Sequence, residues 1–336
     1  MAPNRRMVSF LGRAKRALGD QEIPDLLGKL RAIVGADIPA SEAKAHAAWI
    51  KLRDGHAPDP DELAALEIVI RLLRPAPLSH AGALDDLPDQ GERNLYPQEL
   101  KDQWSTFRTT VQPLLYSIGR VNLKDGTQIG TGFLVADHVL ATNRHVLDDL
   151  TDGTEALRPG EAVVDFQGED GAKDEPDNVV PINGVIRVHE TFDMALLEVP
   201  ATGRPVPVLD AASPAEGLRV AAIGYPSTDR KRNPLFMDTV FGNRFGVKRA
   251  ALGEVLDGSD GPDLFHDCST LGGNSGSPLF SLKTGHVVGI HKGGFFMFRN
   301  EAVDASELHP FVMPGRKRAV ARTSRRRSRP RAHHEG

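Results

Sequence analysis

Apolar residues recur every three or four positions through the first quarter of the chain, as Ile23, Leu26, Leu27, Leu30 and Ile33, then Leu63, Leu66, Ile68, Ile70, Leu72 and Leu73. That period lines one face of a helix. The pattern breaks at Gly19-Asp20, at Gly35-Ala36-Asp37 with Pro39 behind it, and from Gly55 to Pro60, with Ser41 and Asp59 placed to cap the helices that follow. Residues 1–75 are therefore expected to form a bundle of four short amphipathic helices.

Between Pro75 and Leu100 the prolines Pro75, Pro77, Pro88 and Pro97, mixed with Gly and Asp, oppose helix formation. This predicts a linker over residues 76–105. Beyond it the pattern changes to short β-rich runs, among them Leu115–Val121, Gly132–Ala136, Val139–Thr142, Met194–Val199, Leu218–Ile223, Pro278–Leu282 and His286–His291. Turns such as Lys124-Asp125-Gly126 and Asp257-Gly258 separate them, so residues 106–312 should build an antiparallel barrel or sandwich with almost no helix. Residues 313–336 lack apolar periodicity and are expected to be a disordered tail.

Composition narrows the class. With 336 residues, 40% apolar and 26% charged, the chain has material for two folded units and is not a disordered protein. No apolar run approaches the roughly 18 residues of a membrane helix. The start, Met-Ala-Pro-Asn-Arg-Arg-Met-Val-Ser-Phe-Leu, carries too short an apolar patch for an export signal, and the expected location is cytoplasmic. The lone cysteine, Cys268, excludes an intramolecular disulfide and reads as a buried, inert thiol. Net charge is −4, yet the stretch from Arg316 to Gly336 carries +8, leaving about −12 on the remainder. Such a tail suits nonspecific contact with anions or nucleic acid, and it has no aromatic residue on which a base would stack. No cofactor and no metal are expected.

Three segments hold the chemistry: Leu140-Ala141-Thr142-Asn143-Arg144-His145-Val146, Phe192-Asp193-Met194-Ala195-Leu196-Leu197 and Gly272-Gly273-Asn274-Ser275-Gly276-Ser277-Pro278. A serine hydroxyl is a poor nucleophile unless a base takes its proton, and a histidine held by a carboxylate supplies that base. The order His, Asp, Ser, spaced by 48 and 82 residues, resembles the trypsin-like serine peptidases over about 200 residues. The resemblance implies a chymotrypsin-like double antiparallel β-barrel behind an all-α unit. It also implies a serine endopeptidase with His145, Asp193 and Ser275 as its triad, and an oxyanion hole from the N–H groups of Gly273 and Ser275. Protein or peptide substrates follow.

Departures from trypsin matter as much. Asn274 stands where zymogens of that family keep an Asp that pairs with a cleavage-made amine, so no such ion pair is expected. The resemblance puts Ser269, six residues before Ser275, at the base of the specificity pocket, and because it is not an acid this argues against cutting after Lys or Arg. Thr270, with His291 and Gly293 in Val288-Gly289-Ile290-His291-Lys292-Gly293-Gly294, resembles the glutamyl endopeptidase branch, in which a Thr and a His contact the substrate carboxylate. That implies a polar, positively biased pocket preferring Glu or Asp; a preference for small or apolar residues stays open beside it. The segment from Tyr225 to Val255 is long enough to overhang the cleft. The HtrA branch fits poorly, because few residues follow Val312. A catalytically silent fold used for binding is the contrasting reading, and the helical unit is expected to recruit partners or regulate the protease.

Overall fold

A computed structural model describes residues 5–34, 40–88, 95–172, 176–228, 234–258, 261–295 and 299–313. The basic tail and Arg230, Lys231 and Arg232 lie outside the described residues.

Four helices open the chain: α1 (Arg5–Leu18), α2 (Ile23–Val34), α3 (Glu42–Arg53) and α4 (Pro60–Leu72). Their starts follow the local chemistry. Ser41 Oγ accepts the Lys44 N–H, and Asp59 forms a full capping box with Glu62, each bond 2.9 Å long. Leu26, Leu27, Leu30, Leu66 and Ile70 are fully buried or nearly so, as the helical period requires.

The region expected to be a bare linker is structured. Pro75 and Pro77 offer their carbonyls to the Leu252 and Ala250 N–H groups at 2.9 and 3.0 Å, and the Ser79 N–H donates to Lys248 O at 2.9 Å. A small hairpin follows, β1 (Ser79–His80) with β2 (Ala83–Leu84), and then α5 (Gln98–Val111). The expected boundary at residue 105 thus falls inside a helix. The prolines all precede α5, with Pro97 as its N-cap, while Leu100, Trp104, Phe107 and Val111 repeat at helical spacing and are buried.

Two antiparallel sheets make up the rest, the double barrel expected of residues 106–312. The first contains β3 (Ile118–Leu123), β4 (Gln128–Ala136), β5 (Val139–Thr142), β6 (Ala162–Asp165), β7 (Val179–Pro181), β8 (Gly184–Val188) and β9 (Ala195–Glu198), in the order β7-β6-β3-β4-β5-β9-β8. The second contains β10 (Arg219–Gly224), β11 (Arg249–Glu254), β12 (Asp263–His266), β13 (Pro278–Ser281), β14 (Val287–Phe295) and β15 (Arg299–Asp304), in the order β11-β10-β13-β14-β15-β12. Register shifts in β4 between Leu134 and Ala136, and in β14 between His291 and Gly293, bend the sheets so that each curls. Helix is less scarce here than the pattern predicts: α6 (Arg144–Thr151), α7 (Pro234–Phe241) and α8 (Ala305–Val312) are each eight residues long, too short to impose a visible period.

The first sheet closes on its own core of Val121, Leu134, Leu140, Val164, Ile182 and Leu197. The second does not. Its residues Val220, Leu252, Leu279 and Ile290 belong to one continuous core with Leu27, Trp49, Leu66 and Ile70 of the helices. The strap at Pro75–Ser79 pairs along β11, the edge strand of that sheet, and so covers backbone groups that would otherwise be open to pairing with another chain. Cys268 is fully buried, and burial pushes its thiol pKa upward, away from reactivity. Among the described residues no helix is long and apolar enough to cross a membrane.

Candidate active site

The chemistry collects where the two sheets meet. Asn143 ends β5 in extended geometry, so α6 begins at Arg144 and sets His145 in its first turn. Asp193 lies just ahead of β9, which pairs with β5, and that pairing brings the loop beside α6. Asn143 Nδ2 donates to the Asp193 carbonyl at 2.9 Å. Asp193 in turn grips His145 with both oxygens: Oδ1 accepts the His145 backbone N–H at 3.0 Å and Oδ2 stands 2.8 Å from Nδ1.

This arrangement fixes a tautomer. With Nδ1–H given to the carboxylate, the lone pair of the neutral imidazole is on Nε2. Burial alone would lower the His145 pKa, but the hydrogen bond and charge of Asp193 outweigh it and the value rises. Burial likewise opposes ionisation of Asp193, and His145 reverses that, holding the carboxyl below its ordinary value.

The loop of residues 272–278, which carries Ser275, is sewn to the first sheet by Thr131 of β4. Its N–H donates to Ser275 O at 2.8 Å and its hydroxyl to Gly273 O at 2.7 Å, while Thr142 Oγ1 donates to Thr131 O at 2.8 Å. The signal for this contact in the sequence is the run Gly130-Thr131-Gly132, since a Cβ on Gly130 would lie 3.0 Å from Ser275 O and small residues are needed where backbones approach this closely. The Ser275 hydroxyl donates to Lys292 O at 3.4 Å. His145 and Asp193 are thus in direct contact, whereas the hydroxyl of Ser275 is not hydrogen-bonded to His145 in this structure.

Leu271 to Asn274 form a tight turn closed by the Asn274 N–H on Leu271 O at 3.2 Å, with Gly273 at φ +84°. A positive φ at the third position of such a turn calls for glycine, and a Cβ there would sit 2.4 Å from Tyr225 O. The Ser227 N–H holds Gly272 O at 2.6 Å. Because C=O and N–H point opposite ways across a trans peptide, the Gly273 N–H faces away from that bond. Among the described residues neither the Gly273 nor the Ser275 N–H finds an internal acceptor. Asn274 is buried and braces the turn through Nδ2 on Leu271 O at 3.4 Å.

The residues expected to line the specificity pocket behave differently from one another. Ser269 is buried and its hydroxyl donates to Arg74 O at 2.8 Å, so it serves the chain rather than facing open space. Thr270 is partly exposed, and among the described residues no hydrogen bond joins it to His291. Gly293 sits at the bulge of β14 and is partly exposed. His291 lies beside the Ser275 loop, its N–H on Ser277 O at 2.9 Å and its carbonyl accepting the Gly276 N–H at 2.8 Å. Burial, and then the nearby His145, lower the pKa of this ring to about 3, which favours its neutral form.

Behind it stands His266, which the sequence reading missed. The Cys268 N–H donates to His266 Nδ1 at 3.3 Å, and His266 Nε2 lies 3.1 Å from His291 Nδ1. An amide can only donate, so His266 Nδ1 is an acceptor and its proton is on Nε2. That proton goes to His291 Nδ1, which leaves His291 Nε2 carrying an N–H of its own. The burial of His266 keeps its pKa well below the ordinary value and hence keeps this neutral relay intact. Among the described residues no three His, Cys, Asp or Glu side chains gather into a metal-binding group.

Residues 130–290 match the family model described as the trypsin-like peptidase domain. A probable serine protease of Lysobacter enzymogenes is 29% identical over 299 residues, covering 73% of this chain and 76% of that protein. A glutamyl endopeptidase of Staphylococcus epidermidis is 25% identical over 183 residues, 52% of this chain and 57% of that one. Among solved structures, the serine endoprotease of Yersinia pestis superposes with a TM-score of 0.44 at 19% identity, over 60% of this chain and 64% of its own.

Proposed function

We propose that the chain is a serine endopeptidase in which Ser275 is the nucleophile, His145 the general base and Asp193 the group that orients His145. The observation that carries this is the two-point grip of Asp193 on His145, which leaves the lone pair of the neutral ring on Nε2. The reaction requires the Ser275 hydroxyl, here directed to Lys292 O, to turn its proton to Nε2.

The reaction then runs in two halves. Ser275 Oγ bonds to the substrate carbonyl carbon while its proton passes to His145 Nε2, and the negative charge on the carbonyl oxygen is met by the N–H groups of Gly273 and Ser275. The C–N bond breaks as His145 returns the proton to the departing amine. Water, deprotonated by the same Nε2, attacks the acyl-enzyme, and Ser275 recovers its proton through His145.

We read the substrate preference as Glu or Asp before the cut. Support comes from the relay that puts an N–H on His291 Nε2 and from the likeness to a protein named glutamyl endopeptidase. A neutral donor binds a carboxylate by a charge-assisted hydrogen bond, and the arriving anion favours protonation of the ring. The helical unit is read as a controlling part of the enzyme; its continuous core with the second sheet favours an integral element over a detachable adaptor.

The test is labelling with a fluorophosphonate, which reacts with an activated serine. Labelling of the full chain, abolished in Ser275→Ala and His145→Ala, is expected. No labelling under any condition would leave a silent binding module instead.

A further inference from the structure

The wall from His266 to Thr270 leads directly into the nucleophile turn, and its polar groups are met by the N-terminal unit. Asp267 is fully buried and accepts from Arg74 Nε at 3.0 Å, with Arg74 Nη2 2.9 Å from the same oxygen. Arg71 Nη1 donates to the Asp267 carbonyl at 3.0 Å, and Arg13 stands 3.7 Å from its carboxylate. Two residues on, Ser269 Oγ donates to the backbone carbonyl of Arg74. From the sheet side the Glu254 N–H donates to Asp267 Oδ1 at 2.7 Å, and Arg16 of α1 pairs with Glu254 at 2.9 Å. Arg13 also pairs with Glu67, which Arg71 holds at 2.9 Å.

Four arginines from α1, α4 and the residues just past α4 therefore meet three carboxylates, and those three acids come from both sides of the contact. Desolvating this many charges is costly, and the arrangement is far from the cheapest way to join a helix pair to a sheet. Buried ion clusters of this kind fix position where an apolar seam would allow sliding. What they fix here is a short irregular segment that is joined to the end of β11 by a single backbone bond, from the Asp267 N–H to Glu254 O at 3.2 Å, and has Ser269 and Thr270 at its end.

We propose that Arg74, assisted by Arg71, is a positioning residue for the primary specificity pocket, so that the helical unit supports one wall of that pocket. This rests on the endopeptidase reading and deepens it. Arg74 touches neither the reacting atoms nor the oxyanion site; it acts through Asp267 and Ser269. Its effect belongs to recognition of the residue before the cut, and much less to the reactivity of Ser275.

The test separates those two quantities in the full chain. Fluorophosphonate labelling reports Ser275 without a side chain in the pocket, and fluorogenic peptides Ala-Ala-Ala-Xaa with Xaa as Glu, Ala or Leu report the pocket. For Arg74→Gln, with folding checked by circular dichroism, labelling should stay within about threefold of wild type. KM for the best peptide should rise tenfold or more and the order among the three peptides should flatten, while Arg74→Lys restores part of the loss. Ser269→Ala, which removes a single hydroxyl and spares the ion cluster, should raise KM in the same way and serves if Arg74→Gln does not fold. An unchanged KM and peptide order in a folded Arg74→Gln or in Ser269→Ala overturns the proposal, as does a loss of labelling as large as the loss of peptide cutting. Wild-type protein that never labels overturns the endopeptidase reading, and the pocket proposal with it.

Discussion

The Ser227 N–H and the Gly272 carbonyl, 2.6 Å apart, set the plane of the peptide whose other end is the Gly273 N–H. Only a residue without Cβ holds φ +84° there beneath Tyr225 O. Gly273→Ala should therefore turn this donor away from the developing oxyanion. A fall in kcat of about 10² to 10³ with little change in KM is expected, the size seen when one such donor is lost. Peptide kinetics on the purified variant measure it, and wild-type turnover would remove Gly273 from the oxyanion site.

The His145 pKa is raised because Asp193 outweighs burial, and in the proposed reaction only the neutral imidazole accepts the Ser275 proton. Activity should thus appear on an acid limb whose midpoint lies above the ordinary histidine value of about 6.5. Asp193→Asn removes the charge and the fixed tautomer. Its kcat should drop by roughly 10⁴, with the limb displaced to lower pH. A kcat/KM profile between pH 5 and 9 decides this; an unmoved limb would mean that another group titrates.

Cys268 N–H, His266 and His291 form a chain in which each proton position dictates the next. Replacing His266 with Phe keeps the bulk but leaves His291 free to turn its lone pair outward. Because a hydrogen bond to a charged group is worth about 1.5–3 kcal/mol, the preference for Glu over Ala peptides should shrink by about 10- to 100-fold. Cutting of the Ala peptide should change little. Equal loss on both peptides would mean that His266 only supports the fold.

What could be read along the chain was local. Ser41 and Asp59 announced their helices because a cap needs only the next three residues, and the His145, Asp193 and Ser275 segments were legible because each is a short strand end or turn with its own chemistry. Helix α5 was hidden by the prolines just ahead of it, although Leu100, Trp104, Phe107 and Val111 carried the period. The contacts that couple distant segments left no such trace. Arg74 and Asp267 are 193 residues apart, and each looks like an ordinary surface charge until the fold removes both from water. His266 reads as one more strand residue for the same reason, since its partner His291 enters from another strand.

That burial makes stability depend on acid in a defined direction. Burial alone would raise the Asp267 pKa, but Arg74, then Arg13 and Arg71, outweigh it and hold the value at about 2. A carboxyl depressed on folding contributes stability that is complete above its unfolded value of about 3.9 and lost as pH falls through the folded value. Wild-type protein should accordingly lose urea resistance between about pH 4 and 2. At pH 7, Asp267→Asn leaves buried arginines without their main counter-charge and should cost about 3–5 kcal/mol, while losing little more on acidification. Adding Arg74→Met to Asp267→Asn removes the stranded charge and should recover part of that loss, because an uncompensated buried ion is worse than none. Urea melts of the three proteins at pH 7 and pH 3 measure all of these terms, and an Asp267→Asn variant as stable as wild type at pH 7 would show that the arginines are not held by this carboxylate.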